Sequence, residues 1–360
     1  MAQERGQEEV LVNPLHESVV ERMDPQFAAI YTKYQAPRLR ADQVTYAEYN
    51  SNRSLYTFSI ASGPSPEVGD ITLYDIPVSS PPGSIKIQVY RPKAKARNGT
   101  ERLPAHVNYH GGGWVIGNLK SDEPWCRQVC EAVGCIIVNV DYRLAPDFPH
   151  PTPLLDSWEA LKHVFAHAEE LGIDAQRISI GGLSAGGQIA ASLAILARDQ
   201  KEELNLSPLV LQLLIVPAVD ARWIPVQGSC DPAVVPYESY VVNEFAPCLP
   251  LQRLRWFYNL WLGTDLEKRK ESASHFYASP ILAPSHANLA PASIHVAGVD
   301  TLTSEGIAYH ETLTTAGTKS KLKVYEGVGH PFGHWDGELD KAKEYVRDTI
   351  QALKGAYGIE

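Results

Sequence analysis

The short apolar run Arg177-Ile178-Ser179-Ile180-Gly181 leads without a break into Gly182-Leu183-Ser184-Ala185-Gly186, and this pentad leads into the helical stretch Gln188-Ile189-Ala190-Ala191-Ser192-Leu193-Ala194. A buried strand, a five-residue corner and a helix leave the chain few options at this point. In the pattern G-x-S-x-G the glycines allow a sharp turn that presents the serine in a strained, exposed position. A second glycine loop, His110-Gly111-Gly112-Gly113-Trp114, follows the apolar strand Ala105-His106-Val107-Asn108-Tyr109. Its amides can point at an oxyanion. Acyl transfer needs both parts, a presented nucleophile and donors waiting where negative charge appears. In this order, each at the end of an apolar run, the two motifs point to serine-nucleophile chemistry.

Apolar strands alternate with helical stretches through most of the chain, which predicts an α/β protein with a mainly parallel central sheet flanked by helices. Residues 84–90 alternate as a half-exposed edge strand. Buried strands are expected at 105–109, 135–140, 178–182, 209–216, 293–298 and 321–326, with helices at 152–170, 186–199, 304–316 and 338–353. Residues 1–60 and 219–265 break the pattern. The first is helical and polar; the second is rich in Pro, Trp and Tyr, with Trp223, Tyr237, Tyr240, Phe245, Trp256, Phe257, Tyr258 and Trp261. Exposed aromatics on this scale are a liability, so they pack on something or line a pocket. The expectation is one catalytic domain over 1–360, with 1–60 and 219–265 forming a cap that controls access.

Composition narrows the partners. With 360 residues, 44% hydrophobic and 21% charged, the chain can bury a large core, and its formal net charge of −10 argues against nucleic acid or an anionic membrane. No apolar stretch reaches membrane-spanning length. Residues Met1 to Glu9 contain no apolar signal segment, and five cysteines without metal-ligand spacing suit a reducing compartment, so a cytoplasmic protein is expected. There is no dinucleotide fingerprint, phosphate loop or H-E-x-x-H motif, so no cofactor and no metal are expected. The oligomeric state stays open, a homodimer being one option.

His110-Gly111-Gly112-Gly113-Trp114, Asp141-Tyr142-Arg143-Leu144-Ala145-Pro146 and Gly182-Leu183-Ser184-Ala185-Gly186-Gly187 together resemble the hormone-sensitive-lipase-like esterases of the α/β-hydrolase superfamily. The similarity continues in Ser279-Pro280-Ile281-Leu282-Ala283, Ala297-Gly298-Val299-Asp300-Thr301-Leu302 and Gly329-His330-Pro331-Phe332, so it spans roughly residues 80–350. It implies an α/β-hydrolase fold with a helical cap. Three positions depart from the family's usual residues: Asp147 for Glu, Thr301 for Pro after the acid, and Pro331 for Gly after the histidine.

In this fold the order along the chain is nucleophile, acid, histidine. Ser184 is the nucleophile. Asp300, after the strand Ile294-His295-Val296-Ala297, is the acid in preference to Asp220, which opens the insertion. His330 is the base in preference to His334; both follow the last strand, but His330 comes sooner and matches the family motif. The amide of Ala185 by geometry, and those of Gly112 and Gly113 by resemblance, are the oxyanion donors. His110 is expected to brace the glycine loop, and Trp114 to be either a pocket wall or core beneath that loop.

These residues predict a serine carboxylic-ester hydrolase working through an acyl-enzyme on a small-to-medium, hydrophobic or aromatic ester, with deacylation of secondary metabolites as an analogy. Amide or peptide hydrolysis by the same triad is the alternative. A non-catalytic small-ligand receptor on this scaffold is a remote third, because the receptors that resemble this family lack the histidine present here as His330.

Overall fold

The computed structural model describes residues 11–56, 62–93 and 102–359. Eight strands form one sheet: β1 (Asp70–Ser79), β2 (Pro82–Arg91), β3 (Leu103–Tyr109), β4 (Ile136–Asp141), β5 (Ile173–Leu183), β6 (Leu211–Ile215), β7 (Ala292–Ala297) and β8 (Ser320–Tyr325). Their order is β1-β2-β4-β3-β5-β6-β7-β8. The β1–β2 and β2–β4 pairs are antiparallel and all others parallel. The α/β-hydrolase fold expected from the motifs is therefore present.

Each central strand is buried on both faces. Ile136, Val138 and Val140 of β4 enter one apolar cluster and Ile137 the other, as the two-residue period of a strand requires. The helix Ala185–Asp199 is buried from Ala185 to Ala197 against β5 and β6. On the opposite face, the helix Asp340–Tyr357 buries Ala342, Tyr345, Val346, Thr349, Leu353 and Tyr357, a three-and-four spacing that forms one stripe.

Residues 84–90 are not an edge. β1 lies outside them, with Ile76 opposite Ile85, and β1 itself is the outer strand. Only Ile76 and Val78 of β1 are buried, while Leu73 is half exposed and Pro77 interrupts the pattern, so its period-two signal is weak.

The N-terminal region contains the helices Glu17–Val20, Pro25–Tyr34 and Tyr46–Ser51; residues 1–10 and 57–60 of that region lie outside the described residues. Asp24 caps the second of these helices by accepting from the amides of Gln26 and Phe27. Phe27 packs against Trp335 with ring centroids 4.8 Å apart, and the Asp24 amide donates to the Gly327 carbonyl, so this region also covers the end of β8. Between β6 and β7 lie the helices Ser239–Val242, Leu251–Leu262 and Leu266–Ala273, the last beyond the expected insertion. The two irregular regions touch. Arg22 donates to the carbonyl of Val242 at 2.8 Å, His16 stacks on Phe245, and Tyr49 meets Trp256 edge-on.

Candidate active site

Ser184 sits between the end of β5 and the helix that follows, with φ 59° and ψ −114°, a conformation non-glycine residues rarely adopt. Its amide donates to Ile215 at the end of β6 at 2.7 Å, which fixes the corner to the neighbouring strand. The flanking glycines permit the sharp corner by close approach rather than by an unusual backbone angle. Neither Gly182 nor Gly186 has positive φ, but a methyl at Gly186 would stand 1.8 Å from the Tyr109 carbonyl oxygen and one at Gly182 2.2 Å from it. They let the corner press against the end of β3, and Ser184 takes the backbone strain. The serine is also less open than expected, at 7% exposure, because the irregular regions cover it.

Asp300 and His330 follow β7 and β8. The Val299 amide donates to Val328, which laces the two loops together. His330 Nδ1 then meets Asp300 Oδ2 at 2.8 Å, with both side chains buried. The other carboxylate oxygen, Oδ1, accepts from the Leu302 amide. The insertion braces this acid loop: Asn243 Nδ2 donates to the Asp300 carbonyl and Ser239 Oγ to that of Thr301. Thr301, where a Pro was expected, uses its hydroxyl to donate to Leu249 at 3.2 Å, a bond Pro could not make.

The glycine loop is a tight turn. Val115 and Ile116 both donate to the Gly112 carbonyl, and Gly112 and Gly113 have φ of 122° and 59°. A side chain at Gly113 would collide with the Phe257 ring at 2.3 Å. His110 Nδ1 donates to the Gly111 carbonyl at 2.8 Å, its ring stacks on Tyr142, and the Tyr142 hydroxyl donates to the His110 carbonyl. Burial lowers the His110 pKa, so the ring is held neutral, as a brace requires. Trp114 is core: it stacks on Trp261 at 3.5 Å and donates to Gln188.

Gly111, Gly112, Gly113, Ser184 and His330 line one cavity of about 290 Å³, with Ala185 next to Ser184 and Asp300 behind His330. The roof supplies Tyr49 and Arg53 from the N-terminal region and Leu249, Arg253 and Phe257 from the insertion. Of the eight aromatics singled out in the insertion, Phe257 alone lines this cavity. Tyr237, Tyr240, Tyr258 and Trp261 are buried in the larger apolar cluster, two of them against Trp114.

Both rejected candidates are engaged elsewhere. Asp220 is saturated, accepting from Arg222, Trp223 and Tyr237. His334 lines the cavity, yet its Nε2 bonds Asp122 Oδ1 at 2.9 Å. Asp122, Asn108, Asn139 and the Leu119 carbonyl continue this hydrogen-bonded chain beneath the glycine loop. Sequence reading missed Asp122, Tyr49, Arg53, Lys120 and Arg253, none of which belongs to a motif. Among the described residues, no group of three or more His, Cys, Asp or Glu is placed to hold a metal ion, and no helix is long and apolar enough to cross a membrane.

A strained serine at a strand–helix corner, with an Asp–His pair on the loops that leave β7 and β8 of a mostly parallel sheet, defines an alpha/beta hydrolase. A family described as alpha/beta hydrolase fold matches residues 106–334, and the chain belongs to it, within the hormone-sensitive-lipase-like esterases. The AB hydrolase superfamily protein C1039.03 of Schizosaccharomyces pombe is 34% identical over 347 residues, 96% of this chain and 97% of the relative. Carboxylesterase NlhH of Mycobacterium tuberculosis is 36% identical over 276 residues, 76% of this chain and 78% of the relative. Among solved structures, an ester-hydrolase from the metagenome of Lake Arreo, complexed with a derivative of bipyridine phosphonate, superposes with a TM-score of 0.78 at 27% identity. The match covers 93% of this chain and 99% of that one.

Proposed function

We propose that this protein is a serine carboxylic-ester hydrolase in which Ser184 is the nucleophile, His330 the base and Asp300 its orienting acid. The observation that carries this reading is the 2.8 Å contact of His330 Nδ1 with Asp300, with His330 and Ser184 lining one cavity. An Nδ1–H donated to the carboxylate leaves Nε2 as the proton acceptor. His330 takes the Ser184 proton as Oγ attacks the ester carbonyl. The amides of Gly112, Gly113 and Ala185 receive the oxyanion, helped by the helix N-terminus at Ala185. The tetrahedral intermediate collapses, the alcohol leaves with the proton held by His330, and water then cleaves the acyl-enzyme by the reverse sequence of proton transfers.

Residues 1–60 and 219–265 act together as the cap of a single domain and select the ester. Tyr49, Phe257, Leu249 and Ile116 favour a small-to-medium substrate with an apolar or aromatic part. All five cysteines are free thiols, which suits a reducing, cytoplasmic setting. The test is turnover of p-nitrophenyl butyrate beside the matching p-nitroanilide. Ester cleavage with little anilide cleavage is expected; anilide cleavage at an equal rate would favour an amidase instead.

A further inference from the structure

Among the described residues that line the cavity, the permanently charged side chains are Arg53, Lys120 and Arg253, and no carboxylate lines it. This stands against a chain whose formal net charge is −10. Three basic side chains of the lining are each paired with an acid: Arg253 with Asp42, His334 with Asp122 and His330 with Asp300. Arg253 is 1% exposed and reaches over the Phe257 ring at 5.5 Å, with Nη1 on the Cys248 carbonyl. Arg40 and Arg253 face the same carboxylate, that of Asp42. At the rim, Lys120 is exposed and makes no ion pair among the described residues, and Arg53 is exposed beside Tyr49.

We infer that the substrate is an anionic ester, carrying a free carboxylate on its acyl or alcohol part in addition to the scissile bond, and that Arg253, Arg53 and Lys120 select it. This rests on the ester-hydrolase reading above. A cleft lined by one sign of charge concentrates and steers the opposite sign. A buried guanidinium adds to this, because its desolvation is already complete before the ligand arrives. Burial lowers the Arg253 pKa to about 10, which still leaves it charged at neutral pH.

Two isosteric pairs test this: mono-p-nitrophenyl glutarate against p-nitrophenyl 4-carbamoylbutanoate, and 4-acetoxybenzoate against 4-acetoxybenzamide. For at least one pair, kcat/KM is expected to favour the anion by about tenfold or more at low salt, with the ratio shrinking as salt is raised. Lys120→Glu and Arg53→Glu should each lower the ratio of anionic to neutral rate. Equal rates or a preference for the neutral partner in both pairs would overturn the inference while leaving the esterase intact. Absence of turnover on all four compounds would remove the ester-hydrolase reading itself, and this inference with it.

Discussion

Ser184, Asp300 and His330 stand on turns that leave β5, β7 and β8, and backbone hydrogen bonds tie this floor together. The Ser184 amide donates to Ile215, that of Val216 to His295, and that of Val299 to Val328. The roof above is built differently. Tyr49, Arg53, Arg253 and Phe257 come from short helices of the N-terminal region and the insertion, joined to each other and to the glycine loop by side chains: His16 on Phe245, Tyr49 against Trp256, Trp261 on Trp114. Backbone bonds place atoms to a fraction of an ångström whatever the neighbouring side chains are, and chemistry needs that accuracy. Side-chain contacts can change one at a time, which is what selection among esters requires. Substitutions in the floor should therefore abolish turnover on every ester, and those in the roof should redistribute it.

The largest effect is expected from Ser184→Ala, with a loss of turnover on the order of a million-fold on all esters and unchanged folding by circular dichroism. A folded variant with a tenth of normal activity would break the comparison at its centre. His330→Ala should cost nearly as much. His334→Ala should keep most activity, but it strips buried Asp122 of one partner and should lower stability by about 1–3 kcal/mol. Denaturant titration and assay of both variants separate the two histidines.

Floor and roof meet where Gly113 lies under Phe257. Gly113→Ala should lower kcat by roughly 10²–10³, the usual cost of losing one oxyanion donor, because the methyl collides with the Phe257 ring. If kcat were unaffected, the glycine loop would not be the oxyanion site. Phe257→Ala acts on the roof alone. It should raise the rate on bulky acyl esters relative to p-nitrophenyl acetate by about tenfold, and a uniform change across chain lengths would blur the distinction drawn here.

The smallest effect concerns how the roof is anchored. Glu305, fully buried, holds the Val219 amide at 2.8 Å and bonds the Tyr240 hydroxyl. Burial, with Asp220 and Asp300 nearby, raises its pKa well above the usual carboxylate range despite those hydrogen bonds. Between the unfolded and folded pKa values the folded state binds the extra proton, so this group's stabilisation is full at low pH and declines as pH rises. Glu305→Gln should flatten the fall of Tm with rising pH. An unchanged slope would mean that Glu305 does not titrate in that window.

Legibility in the sequence follows the same division. The strands at 105–109, 178–182 and 293–298 were readable because buried parallel strands are continuous apolar runs, and Ser184, Asp300 and His330 because each closes or follows such a run. β1 was not readable: with Ile76 and Val78 as its only buried residues, it gives little periodicity. The roof residues Tyr49, Arg53 and Arg253 belong to no motif, and they reach the cavity only through tertiary packing. The eight aromatics of the insertion had either to pack or to line a pocket; four of them are buried and one lines the cavity, because a Trp or Tyr signals burial without saying against what. The pentad's two glycines announce the sharp turn, but the approach of the Tyr109 carbonyl that also requires them is a contact between segments far apart in the chain, which no local pattern carries.

The central claim is that Ser184 carries the acyl group, and covalent trapping tests it most directly. The enzyme would be treated with a fluorophosphonate and, separately, quenched during turnover of p-nitrophenyl butyrate, with the adduct mapped by peptide mass spectrometry. The account expects one phosphonyl group per chain, loss of activity in proportion, and the butyryl group on the same peptide at Ser184. Complete inactivation with the adduct on another residue, or turnover with no acyl group on Ser184 under any quench, would contradict it.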